Sequence, residues 1–226
     1  GVYQGLFAAD VPHGKGAIKF EDGSNFKGDF INGVRQGVGT FDFPNGDRYF
    51  GDWEDDRQTG KGQMKFADGR KYKGMWKDNE IGGGKGSMEY ADGELYDGQW
   101  EHFLKHGDGK MTYGSGERYV GQWSEDKPHH YGAIRYKNGT AYQGEWEAGQ
   151  KQGKGSFTDM EGNVYEGEFV LNTYHGMGTM EYVEKKDQYV GQWENSVHSG
   201  VGKLTHGNGD VYEGQFADGV KSGKGR

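Results

Sequence analysis

An aromatic residue, a glycine and a second aromatic recur at alternate positions ten times along 226 residues. The run is Tyr3-Gly5-Phe7, Phe26-Gly28-Phe30, Tyr49-Gly51-Trp53, Tyr72-Gly74-Trp76, Tyr96-Gly98-Trp100, Tyr119-Gly121-Trp123, Tyr142-Gly144-Trp146, Tyr165-Gly167-Phe169, Tyr189-Gly191-Trp193 and Tyr212-Gly214-Phe216. The step is 23 residues, with 24 from Tyr72 to Tyr96 and from Tyr165 to Tyr189. A fixed period of this length marks an array of small units that stack on one another. Each unit continues with Gly-x-Gly, an apolar residue two on and usually an aromatic two further, as in Gly60-Gly62-Met64-Phe66 and Gly107-Gly109-Met111-Tyr113. A turn such as Asp22-Gly23, Asn45-Gly46 or Asn138-Gly139 then precedes the next unit.

Period-two alternation is the strand signature, and Asn-Gly or Asp-Gly between such runs signals a hairpin whose two turn residues take positive φ. Each unit is therefore expected to be two short antiparallel strands. A glycine between two rings leaves bare backbone that a neighbouring ring can cover. A lone hairpin is marginal in water, so stability must come from interfaces between neighbours. The expected fold is all-β: an elongated, twisted single-layer antiparallel sheet of stacked hairpins, one continuous array over residues 1–226 with a truncated tenth unit. At ~4.8 Å per strand it would extend on the order of 90 Å.

Composition narrows the function. Only 31% of residues are hydrophobic, yet 15% are aromatic, and disordered chains are poor in aromatics. Of 33 aromatic residues, 27 fall on three positions of the unit, so the bias serves the repeat. Each half of the chain carries a net charge of −4 with no basic block. Nucleic acid and anionic lipid call for clustered Lys and Arg, so a nucleic-acid partner is not expected and phosphoinositide binding is disfavoured. There is no cysteine. Gly-Lys-Gly at 14–16, 60–62, 84–86 and 153–155 lacks the Ser or Thr and the helix of a phosphate loop. His13, His106, His129 and His175 share one unit position, which reads as a turn preference rather than a ligand set. No arrangement of nucleophile and base stands out, so neither catalysis, a cofactor nor a metal is expected.

The [Tyr/Phe]-x-Gly-x-[Trp/Phe] opening followed by Gly-x-Gly resembles the MORN (membrane occupation and recognition nexus) repeat over essentially the whole chain. Arrays similar to this one occur in ciliary radial spokes, cytoskeletal scaffolds, junctophilins, plant lipid kinases and a methyltransferase, so the repeat does not fix a function. The resemblance implies a non-catalytic scaffold or protein-interaction module in a cytoplasmic, cytoskeletal or ciliary assembly. A membrane-tethering segment and the regulatory part of a larger enzyme are the alternatives. A lone sheet should leave part of its aromatic face exposed, and large apolar patches mark binding sites. The candidate contact residues are Trp53, Trp76, Trp100, Trp123, Trp146, Trp193, Tyr96, Tyr119, Met88 and Met111, with an amphipathic helix or a second copy of the chain as the ligand.

Overall fold

The computed structural model describes residues 1–226 as twenty β-strands without a helix. By their contacts the strands fall into two units, Gly1–Gly114 and Ser115–Arg226. Each is built from five hairpins, and within each every strand pairs antiparallel with its neighbours in sequence. Backbone packing is between consecutive strands, and only side chains reach one strand further, so each unit is a single layer.

Two kinds of turn alternate. Inside a hairpin, two residues join the strands and both take positive φ, as at Asp55 (47°) and Asp56 (65°) between Arg48–Glu54 and Arg57–Lys65. This two-residue turn matches the right-handed strand twist. Asn32-Gly33 and Asp218-Gly219 form such turns, but the signals at Asp22-Gly23, Asn45-Gly46 and Asn138-Gly139 do not lie here, and in one case the turn is made by His102 and Phe103. Those signals mark the other connection, which differs from expectation. At Glu21-Asp22-Gly23 only the glycine has positive φ (90°), the Gly23 amide donates to the Phe20 carbonyl, and the Phe20 amide donates to the Ser24 carbonyl. This is a three-residue turn closed by a bulge, in which one glycine suffices.

The first glycine of Gly-x-Gly sits at a bulge in the second strand, where the chain takes positive φ, except in the fourth hairpin, where Gly83 rather than Gly84 does so. His130 occupies that position in the sixth hairpin with φ 55°. A side chain in this region costs roughly 1–2 kcal/mol. His130→Gly is therefore expected to raise stability by about 0.5–1 kcal/mol, part of the relief being offset by a freer unfolded chain. A thermal melt beside the parent protein checks this.

The motif glycine and the second glycine of Gly-x-Gly face one another across every strand pair, for example Gly39↔Gly51, Gly51↔Gly62 and Gly62↔Gly74. They form a strip of bare backbone running across the strands. The first aromatic of each hairpin lies on that strip: a Cβ built on Gly62 would stand 2.5 Å from Cε2 of Tyr49. Beside the ring stand the second aromatics of its own and the next hairpin, edge to face. Tyr49 lies 5.4 Å from Trp53 and 5.0 Å from Trp76, and Tyr142 lies 5.1 Å from Trp146 and 4.9 Å from Phe169. Such contacts add about 0.5–1.5 kcal/mol each beyond area burial.

A residue that sequence reading passed over completes the enclosure. It lies opposite the second aromatic, as Arg35 does opposite Phe30 and Lys151 opposite Trp146. Tyr174 stacks on Tyr165 at 3.8 Å and His198 on Tyr189 at 3.7 Å. Lys151 places its ammonium 5.1 Å from the centre of Tyr142, and Arg35 its guanidinium 4.4 Å from that of Trp53. Backbone below, a covering side chain above and ring edges on both sides leave Tyr49, Tyr96, Tyr119, Tyr165 and Tyr189 with no exposed surface. A single layer thus buries its own aromatic face.

Candidate functional site

All ten candidate contact residues lie in this packing. Trp53, Trp76, Trp100, Trp123, Trp146, Trp193, Tyr96, Tyr119, Met88 and Met111 are at most 6% exposed. The expected exposed aromatic strip is therefore absent, because the covering residue does the work assigned to a second layer. Indole nitrogens are used internally as well: Trp53, Trp100, Trp146 and Trp193 donate to the carbonyls of Gly39, Gly86, Gly132 and Gly178 in the preceding hairpins. The hydroxyls of Tyr72, Tyr142 and Tyr189 donate to the carbonyls of Met75, Glu145 and Gln192. Burial raises these phenols well above their usual range, Tyr189 to about 12, so they stay neutral donors.

Two of the four histidines that share one repeat position serve the turns. Nδ1 of His13 accepts the Asn32 amide and Nδ1 of His129 the Ala148 amide, each from the turn of the next hairpin. Gln36 and Gln152 do the same for Asp55 and Leu171. The second turn residue reaches back in turn: the Oδ1 atoms of Asn79 and Asn172 accept the amides of Gln58 and Lys151. Where the covering residue is Pro12 or Pro128 and has no amide to offer, the partner turn residue is Gly33 or Gly149. Asp159 and His206, which stand where most hairpins carry the aromatic that ends the second strand, are also structural. Asp159 accepts the amides of Glu161 and Asn163, and His206 pairs with Asp187 at 2.9 Å.

His198 differs from the other covering residues in being titratable near neutrality. Burial lowers its pKa, and its Nε2 lies 3.1 Å from the Tyr182 hydroxyl. The unfolded chain therefore binds a proton before the folded one does. The stability His198 supports is whole above pH ~6.5 and is lost as pH falls below it. His102, raised by its hydrogen bond to Glu80, acts in the opposite sense, so the comparison must be differential. The melting temperature of His198→Phe is expected to fall less between pH 7 and pH 5 than that of the parent.

With the aromatic face closed except at Phe7 of the first hairpin, a set of exposed apolar residues stands on the other face, among the polar positions that flank the glycines. They include Val38 and Phe50 in the first unit, and Val120, Tyr131, Met177 and Val201 in the second. In the first unit this face is hollowed into an open trough of about 600 Å³ lined by Val38, Phe50, Asp52, Lys61, Lys73, Met75, Lys85 and Asp97. A second hollow, lined by Lys15, Lys27, Val38 and Phe50, adjoins it. The sequence contains no run of basic residues, but a 23-residue period folded into hairpins sets distant lysines side by side. The absence of a basic cluster is thus corrected in space. The signal was readable only by comparing equivalent positions from unit to unit. No helix is long and apolar enough to cross a membrane, and no three His, Cys, Asp or Glu side chains gather as a metal-binding set.

Comparison with known proteins agrees with this geometry. The family model described as the MORN repeat matches at residues 3–25, 26–48, 49–69, 72–94, 96–118, 119–141, 142–164, 165–184, 189–211 and 212–226. No curated protein matches the sequence. Among solved structures, the TCP10 domain of Danio rerio CPAP in complex with a peptide of Danio rerio STIL is similar at a TM-score of 0.52. It has 11% identity and covers 94% of this chain and 93% of that one. The CPAP G-box domain is similar at 0.44, with 9% identity over 90% of this chain and 99% of that one. At such identities the first shows a shared fold alone, and the second carries no argument.

Proposed function

The chain belongs to the MORN-repeat family over essentially its whole length, and from that premise we propose that it is a non-catalytic scaffold that holds protein partners in a cytoskeletal or ciliary assembly. The observation that carries this reading is the division of labour between the faces. The rings are consumed by packing hairpin on hairpin, while Phe50, Tyr131 and Met177 stand about half exposed (50%, 52% and 54%) on the glycine-flanking face. A single layer offers long open surface and little enclosed volume, which suits docking of chain segments better than sequestering a reaction from water. The TCP10 domain of CPAP, of like fold, is in complex with a peptide, a precedent for peptide capture on an open sheet.

A photo-crosslinking amino acid at Phe50 and, separately, at Met177 tests this in ciliated cells. The expected outcome is defined protein adducts in the detergent-insoluble cytoskeletal fraction. Adducts to lipid alone, or a chain that is wholly detergent-soluble and forms none, would overturn the reading.

A further inference from the structure

In the first unit the face opposite the rings carries a repeating order of side chains. At the position between the two glycines of Gly-x-Gly, the first three hairpins present Lys15, Val38 and Lys61. At the position between the first aromatic and its glycine, hairpins two to four present Lys27, Phe50 and Lys73. Both rows read lysine, apolar, lysine across consecutive hairpins, and Val38 and Phe50 line both hollows of the trough. Lys15 is paired with Asp29 at 2.7 Å, but Lys27, Lys61 and Lys73 have no carboxylate within ion-pairing distance. In the same two rows hairpins seven and eight hold Lys154 and Met177, and Gln143 and Glu166, so they carry one lysine against one carboxylate. On a chain of net charge −8, the two hollows gather Lys15, Lys27, Lys61, Lys73 and Lys85 around exposed apolar side chains against only Asp52 and Asp97, a local excess of positive charge.

Resting on the function proposed above, we infer that this trough holds an extended acidic segment of a partner protein, with an apolar side chain seated against Val38 and Phe50 and carboxylates on either side. The spacing follows from strand geometry. One hairpin advances two strands, about 9.6 Å, and one turn of an extended polyproline II segment, three residues, spans about 9.3 Å and returns the side chain to the same side. A segment lying across the strands therefore presents every third residue to equivalent positions of successive hairpins. The pattern that fits is acidic, apolar, acidic at i, i+3 and i+6. A bilayer is a poorer match, because a flat headgroup plane meets rim lysines but leaves the apolar centre of a hollow unfilled. The carboxylates also supply what the lysines lack, and their attraction is screened by salt.

The test is fluorescence polarisation of the full chain with a labelled peptide bearing Glu, Leu and Glu at i, i+3 and i+6 in a Ser/Gly background. Saturable binding is expected, weakened at least about tenfold, or ~1.4 kcal/mol, by Glu→Gln in the peptide, by Lys61→Glu with Lys73→Glu, and by Phe50→Ser. These residues are surface-exposed, so melting curves should match the parent; the milder pair Lys61→Gln and Lys73→Gln should bind with intermediate strength. No saturation at about 1 mM peptide, equal binding of the Gln peptide, or indifference to the lysine substitutions overturns the inference. So does lysine-dependent sedimentation with phosphatidylcholine vesicles containing phosphatidylinositol bisphosphate in place of peptide binding. Adducts at Met177, in the other unit, would still appear if only this inference failed, and would be missing if the scaffold reading failed.

Discussion

Trp100→Ala is expected to destabilise the first unit by about 3–5 kcal/mol, the range for deleting a large buried ring. The indole is 4% exposed. It stands edge to face at 5.6 Å from Tyr72 and 5.0 Å from Tyr96, and its Nε1 donates to the Gly86 carbonyl at 3.0 Å. Removing it opens the side of two tyrosine seats and deletes the indole's hydrogen bond to that carbonyl. For a chain of this size the melting midpoint should fall by about 6–20 °C. Repeat arrays are held by nearest-neighbour interfaces, so the loss should be local. Amide exchange should accelerate in the hairpins that carry Tyr72 and Tyr96, while the hairpin of Tyr165 keeps its protection. Trp100→Phe should recover most of the loss, since the ring edge returns and only the indole hydrogen bond is missing. A melt that matches the parent, accompanied by weaker partner binding, would instead make Trp100 a contact residue and contradict the burial on which this prediction stands.

The hairpins were legible because their determinants are local and repeated: Tyr-x-Gly-x-Trp alternates within one strand, and Gly-x-Gly within the next. What covers the rings was not. The covering position holds Pro12, Arg35, Gln58, Ile81, Lys151, Tyr174 and His198 in different hairpins, and no residue type unites them. Stacking needs only a flat or flexible surface of the right reach, which a proline, a guanidinium, an aliphatic stem or a ring all provide. A property met by such different side chains leaves no composition signal, so the aromatic face read as exposed. The tight turn was hidden in the same way: at His102-Phe103 the register of the flanking strands imposes positive φ, against local preference. The trough was missed for another reason. Lys61, Lys73 and Lys85 are 12 residues apart, too far to read as a cluster until pairing places Lys73 opposite Gln63 and Lys85 opposite Gln99.

The strip of facing glycines makes the most stringent demand on the sequence, and two neighbouring alanine substitutions should separate its two causes. At Gly155 an added Cβ would stand 2.5 Å from Cε2, 2.6 Å from the hydroxyl and 2.7 Å from Cζ of Tyr142. That ring has nowhere to go. Trp146 and Phe169 flank it, the Lys151 ammonium sits 5.1 Å above it, and its hydroxyl is held at 2.7 Å by the Glu145 carbonyl. Gly155→Ala is expected to destabilise by about 3 kcal/mol, the upper part of the overpacking range. At Gly144 the Cβ would meet the Tyr142 hydroxyl at 2.5 Å and also the backbone of the facing strand, 2.5 Å from Cα of Gly155 and 2.6 Å from the Lys154 carbonyl oxygen. Gly144→Ala should be at least as damaging, because the strands themselves must separate. Tyr142→Ala distinguishes the two in double-mutant cycles. With the ring gone, Gly155→Ala should add little to the loss already caused, giving a coupling of about 2–3 kcal/mol, whereas Gly144→Ala should couple less, because its two backbone clashes remain after the hydroxyl is removed. Additivity at both positions would mean that the ring's seat is not what glycine is there to provide.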